Sequence, residues 1–258
     1  KSVHLFDISK TGNRTSIPKE IKEFSLLRLD KKELSAIHVS KTPFIALSIP
    51  QEGRNDLQLE LVEVFPFAPG FSVKSAPENQ TLDVNVGKHY RGIIKGQERS
   101  VVALSVFEDQ VMAMISHPSA SGNLVLGKLE GSDDHILYQD DQIVHLNPFE
   151  CKTEDLTLNY SDQELRGVSE GNRSLSDCVR LYLEVNYDIY TNKGSSTANV
   201  TTFVTGLFNQ VSALYTTEQI NTVISEIVIW TQPSPYTSTS SSGMLNAFTA
   251  NRQGFNGD

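Results

Sequence analysis

The chain has 258 residues, 38% of them hydrophobic and 21% charged, enough apolar material for one large or two ordinary domains and too little bias for a disordered majority. Its 22 basic and 31 acidic residues leave a net charge of −9, and with no dense Lys/Arg block a nucleic-acid partner is not expected. No apolar run approaches the ~20 residues of a membrane span, and two cysteines are too few for a disulfide scaffold.

Lys1 to Ile8 reads as a strand that begins without a signal peptide, so a processed or engineered product whose leader has been removed is the expectation. Phe24 to Leu29 is a second strand, and Asp30 then caps a short helix from Lys31 to Val39. Phe44 to Ile49 and Leu57 to Val64 alternate apolar and polar residues around the turn at Gln51 to Asp56, as half-buried strands do. Pro66-Phe67-Ala68-Pro69-Gly70 is expected to interrupt the strand pattern. Val101 to Phe107 and Val111 to Ser116 flank Glu108-Asp109-Gln110 as a hairpin, and Leu124 to Leu129 and His135 to Tyr138 add shorter strands. Many short strands between Gly, Pro and Asp turns predict a β-rich domain over 1–150. Five N-x-S/T tripeptides, at Asn13, Asn79, Asn159, Asn172 and Asn199, matter only where the source glycosylates.

One stretch of this domain is more specific than its neighbours. His89-Tyr90-Arg91-Gly92, then Gly96, then Ser100-Val101-Val102-Ala103-Leu104-Ser105 describes a hairpin whose glycines supply the tight turn. Both halves, at this separation, resemble the propeptide of reprolysin (adamalysin-type) zinc metalloproteases, with its H-Y-x-G element, Gly-containing turn and S-V-V-x-L-S strand. Pro148-Phe149-Glu150-Cys151-Lys152-Thr153 resembles the P-x-x-C-x-x-T cysteine switch of the same propeptides, with Thr153 one position early and Lys152 in place of the usual Gly. The resemblance implies that Cys151 is a latency ligand. A catalytic zinc keeps one position open for water, and a thiolate there blocks hydrolysis. Residue chemistry leaves two other readings open: a free, inert cysteine, or a bridge to Cys178 around 26 intervening residues, worth about 3–4 kcal/mol on the loop-entropy model. Within a linker over 151–177, Glu154 to Asp177 is polar and Gly167 to Ser174 has the composition of an exposed linker, with Arg166 and Arg173 as candidate cleavage points for an activating protease.

Beyond Cys178 the periods change twice. Val179 to Tyr187 alternates as a strand. Val200, Phe203, Val204, Leu207, Phe208, Val211, Leu214 and Tyr215 recur at helical spacing, and Val223 to Trp230 is a nearly continuous apolar run, as in a strand covered on both faces. Strand, helix and buried strand predict a β-α-β unit with parallel strands, the helical stripe serving as packing and Trp230 as core or rim. Val179 to Tyr190, the helix and Ile224 to Trp230 resemble the opening of a secreted bacterial reprolysin-like catalytic domain. Pro235-Tyr236, Met244-Leu245, Phe248 and Phe255 to Asp258 continue that resemblance.

The resemblance implies an α+β protein: a β-rich propeptide domain over 1–150, a linker over 151–177, and the first β-α-β-α part of a metzincin catalytic domain over 178–258. It implies a zinc endopeptidase precursor, inactive as this chain because H-E-x-x-H-x-x-G-x-x-H is absent; all six histidines precede residue 150. The zinc ligands, and the remainder of the catalytic domain as partner, are expected outside this chain, with proteins or peptides as substrates. The resemblance also implies calcium at Asp258, although Glu184 does not occupy the strand position of the usual glutamate partner, and one aspartate is too few. A sheet ending here leaves the second strand's outer edge needing cover, from another polypeptide or from the propeptide. The alternative is a non-catalytic, secreted β-rich binding or inhibitory module.

Overall fold

The computed structural model of the protein describes residues 2–10, 14, 17–143, 178–252 and 254–257. In chain order its strands and helices are β1 (Ser2–His4), β2 (Phe6–Ile8), β3 (Phe24–Leu29), α1 (Lys31–Val39), β4 (Phe44–Ile49), β5 (Leu57–Val64), β6 (Phe67–Ala76) and β7 (Thr81–Leu82). There follow β8 (Lys88–Ile94), β9 (Gln97–Val106), β10 (Val111–Ser116), β11 (Leu124–Lys128), β12 (Asp134–Gln139) and β13 (Cys178–Val185). The last are α2 (Tyr187–Asn192), α3 (Thr197–Thr217), β14 (Asn221–Trp230) and α4 (Ser241–Asn251). The protein is α+β and strand-rich, and no described helix is long and apolar enough to cross a membrane.

The chain divides into two compact units, each assembled from separate stretches of sequence. The first takes Lys1–Pro66, Asp83–Leu146 and Ser196–Gln219. Its ten-stranded sheet runs β1-β4-β5-β8-β9-β10-β11-β12-β3-β2. The two end strands are halves of one segment broken only at Leu5: β1 pairs parallel with β4, and β2 pairs antiparallel with β3. One segment that switches partners thus brings the sheet nearly closed upon itself, which removes most of the exposed edge.

Period-two alternation aims one set of side chains inward. Leu47, Ile49, Leu59, Leu61, Tyr90, Val102, Leu104, Val106, Val111, Ala113, Ile115, Leu126 and Leu137 form a single buried cluster with Leu5 and with Leu34 and Ile37 of α1. Helix α1 starts where expected, because the Asp30 carboxylate accepts from the backbone N–H groups of Lys32 and Glu33.

The second unit takes Phe67–Leu82, Asn147–Ser195 and Ile220–Asp258. Its sheet runs β13-β14-β6-β7, with β13, β14 and β6 mutually parallel and β7 antiparallel to β6. Residues 67–82 lie within the amino-terminal 150 in sequence, yet they build the sheet that also holds 178–185 and 221–230.

One local expectation is refined and two need correction. The stretch Pro66 to Gly70 does interrupt the pattern, with β5 ending at Val64, but β6 begins within it at Phe67. Its register against β14 jumps from Phe67↔Ile224 to Ser72↔Glu226, so 68–71 bulge opposite a single residue. Pro69, without an N–H, and Gly70, at φ 78, sit where no ladder bond is required. The strand expected to reach Tyr187 stops at Val185, because the Asn186 side chain accepts from the Tyr187 N–H and caps α2. Two helices therefore link β13 to β14. Finally, the apolar stripe of α3 is only partly core: Val200 and Phe208 are buried, whereas Leu207, Val211, Leu214 and Tyr215 are 39–46% exposed.

Candidate functional site

Two polar clusters stand out, one in each unit. In the first unit the hairpin β8–β9 carries the His89-Tyr90-Arg91-Gly92 and Ser100–Ser105 motifs as neighbours, with His89 opposite Ser105 and Gly92 opposite Val102. Gly92 is required by close approach: a Cβ there would stand 2.0 Å from the Glu60 carbonyl oxygen on β5. His89 is 2% exposed. Its Nε2 lies 2.9 Å from the Val86 carbonyl, which can only accept, so Nε2 carries the proton and Nδ1 accepts from the Ser105 hydroxyl at 2.9 Å. Burial lowers the imidazole pKa to about 4 against the supporting carbonyl bond, and nearby Arg91 lowers it further.

Asn209 of α3 completes this network. Its Nδ2 donates to the Leu104 carbonyl at 3.1 Å, to Ser105 Oγ at 3.2 Å and to the Tyr90 carbonyl at 3.4 Å. Its Oδ1 accepts from Arg91 Nε at 3.1 Å, and Arg91 Nη1 also reaches Thr216 Oγ1 at 3.2 Å. Both ends of the Asn209 amide and both nitrogens of His89 are engaged, so the amide orientation, the hydroxyl direction and the tautomer fix one another.

A polar helix face can lie against the sheet because its hydroxyls are satisfied locally. Thr201, Thr205 and Thr216 donate to the carbonyls four residues earlier, each at 2.8 Å. Gly206 allows close packing, since a Cβ there would meet Met112 Sδ at 2.7 Å.

The second cluster surrounds Glu184 on β13, whose side chain is 4% exposed. Its carboxylate accepts from Arg252 Nε at 2.7 Å and Nη2 at 3.0 Å, Trp230 Nε1 at 2.5 Å, Tyr236 OH at 2.8 Å and Tyr182 OH at 3.0 Å. Burial opposes ionisation, but the bonds from Arg252, Trp230 and Tyr236 outweigh it and hold the carboxyl below its usual range. Burial and the adjacent carboxylate push the Tyr236 phenol up to about 12 and raise Tyr182 as well. Phe248 and Phe255 pack against the Tyr182 ring at centroid distances of 6.3 and 5.3 Å. A cavity of about 330 Å³ opens beside Tyr182, Trp230 and Arg252, with Glu226 on its wall. Glu226 pairs with Lys74 of β6 at 2.9 Å. A carboxylate with five donors has no lone pair available for a substrate proton, so Glu184 is an anchor for the segment carrying Tyr236 and Arg252 rather than a base.

The sequence-based candidates fare differently. Cys151 and Asp258 lie outside the described residues, as do Arg166 and Arg173. Cys178, the first residue of β13, is exposed and has no disulfide partner among the described residues. Trp230 lies on the cavity rim, and Glu184, set aside as a calcium ligand, faces an arginine instead. Arg91 with Asn209 and Glu184 with Arg252 were not anticipated as partners. The available hints were a glutamate in an otherwise β-favouring strand and a lone tryptophan, whose N–H needs an acceptor when covered. No protein-family model matches this chain, and no curated protein matches it. Among the described residues no group of three His, Cys, Asp or Glu is placed to hold a metal ion.

Proposed function

We propose that this chain is the leader and opening catalytic segment of a latent zinc endopeptidase, with 1–150 acting as inhibitor and folding aid. The observation that supports this reading best is β6. A strand from the amino-terminal 150 residues lies parallel to β14 along the edge that β13 leaves uncovered, and is tied there by Lys74 to Glu226. A leader that shields an incomplete catalytic sheet has to do this. Parallel pairing of β13 and β14 across a helical connection is the second support.

The described residues do not fit a zinc centre, so no catalytic step is assigned to them. On this proposal the histidine ligands and the glutamate base belong to residues that follow 258 in the full protein, and Cys151 serves latency. The test is the open reading frame together with its product. An H-E-x-x-H-x-x-G-x-x-H beyond Asp258, and casein hydrolysis by the longer protein that chelation abolishes and zinc restores, is the expected result. A stop codon directly after Asp258, or a longer protein without that motif, overturns the proposal in favour of a non-catalytic binding or inhibitory module.

A further inference from the structure

Both units are built from chain on either side of 144–177. In the first, α3 lies on β8, β9 and β10, with Val200, Thr201, Thr205, Asn209 and Ser212 fully buried. In the second, β6 and β7 pair with β14, in the order β13-β14-β6-β7. We propose that the parts before and after 144–177 are a mutually completing, non-covalent pair that stays assembled when the chain is cut between them. The partner that the β8–β9 surface recognises is therefore a helix of this same chain, presented by its polar side and read by one amide.

Three features of each contact carry the argument. The α3 contact is selective, because Asn209 is clamped between one side-chain donor and three acceptors and nothing but an amide satisfies both. Its centre is desolvated, so breaking the bonds from Asn209 Nδ2 would leave unpaired buried groups. It is close, because Gly206 admits Met112. The β6 contact is continuous: five successive pairs from Ser72↔Glu226 to Ala76↔Trp230, extended by the Thr231 N–H donating to the Ala76 carbonyl at 3.0 Å. It carries a partly buried ion pair, Lys74–Glu226. It also reaches the following loop, where Gln232 Nε2 donates to Glu78 Oε1 at 2.7 Å. Neither contact is covalent and neither involves residues 144–177, so both remain in place when the chain is cut there, while the effective concentration supplied by chain continuity is lost. Release of the amino-terminal part then requires a second event, withdrawal of β6 and opening of the Asn209 clamp. The inference does not depend on the protease reading.

The experiment replaces residues 160–166 of the full chain with the recognition sequence of a sequence-specific endoprotease and cuts to completion, verified by two bands under denaturing conditions. Native gel filtration is expected to return both fragments in one peak at equal amounts, with the circular dichroism of the uncut chain. Fragments in separate peaks, or loss of one to aggregation, overturn the proposal. In the cut protein Asn209→Ala is expected to raise the dissociation constant between fragments at least about tenfold. Arg91→Lys, which keeps the charge but loses the Nε contact, should do so by a smaller factor, and exposed Leu207→Ser should leave it unchanged. An unchanged constant in both clamp variants, with the uncut variants folded, overturns the assignment of the clamp.

Discussion

Glu184 illustrates how a single ionised group can organise a sheet without doing chemistry. It is the acceptor for five donors drawn from β13, β14, the loop at Tyr236 and the end of α4. Glu184→Gln removes the counter-charge of Arg252 and replaces a buried charged acceptor of the Trp230, Tyr236 and Tyr182 donors by a neutral amide. The expected cost is about 3 kcal/mol by urea denaturation, with a shift in emission of the lone tryptophan, Trp230, whose N–H loses a charged acceptor. Gly92→Ala would force a Cβ into the Glu60 carbonyl and should cost more than about 2 kcal/mol, because β5 and β8 must move apart. His89 and His135 set the pH response of the first unit. His135 Nε2 accepts from the Val111 N–H, and burial lowers both imidazoles to about 4. The unfolded chain therefore binds more protons than the folded one between about pH 6.5 and 4. Stability is whole above that window and falls through it, by on the order of 3 kcal/mol for each histidine. Glu184 acts lower, its contribution being lost only as the pH drops through a folded pKa beneath 4.5. Denaturation midpoints followed from pH 8 to 4 check this, and His89→Gln should flatten part of the slope; a midpoint rising as pH falls contradicts the assignment.

At the scale of elements, α3 turns the usual relation of apolar and polar faces around. Threonine, serine and asparagine are fully buried on one side, while Leu207, Val211, Leu214 and Tyr215 are substantially exposed on another. Threonine hydroxyls that bond back along the helix make the buried side tolerable, and Asn209 makes it specific. Leu207→Ser is expected to change stability by less than about 0.5 kcal/mol, whereas Val200→Ala, at a site without exposure, should cost about 1 kcal/mol or more. A large loss from Leu207→Ser would mean that this face is covered in solution. Strand β6 makes a related point, since its Pro69 and Gly70 look like a strand terminator and in fact occupy a bulge. A local signal of that kind reports where the ladder is interrupted and not where the strand ends.

Across the whole molecule, the consequential feature is that neither unit is contiguous. A cut placed by composition near 150 separates residues that share a sheet: β6 from β14 in the second unit, and β9 from α3 in the first. On the proposed reading as a latent enzyme, this arrangement would join shielding to folding, because the sheet that holds β13 and β14 is completed by β6 of the proposed leader. Deleting residues 67–82 should accordingly leave β14 with an open edge, and the shortened chain is expected to aggregate. A monodisperse deletion product with unchanged circular dichroism would argue against that shielding role.

Much of this was legible from the residues alone. Alternation in β4 and β5 predicts their strands because burial of one sheet face imposes a period of two, the apolar runs of β9 and β10 on either side of Glu108-Asp109-Gln110 predict a hairpin, and the Asp30 cap and the parallel pairing of β13 with β14 follow from equally local rules. Helical period likewise places α3, but not which of its faces is buried, because that depends on what stands opposite. Tertiary structure alone decided the return of the sheet at Leu5, the insertion of β6 beside β14, and the meetings of Arg91 with Asn209 and Glu184 with Arg252. These pairs are separated by 118 and 68 positions. Contacts at such separations leave no period in the sequence, and they form only once the intervening chain has packed.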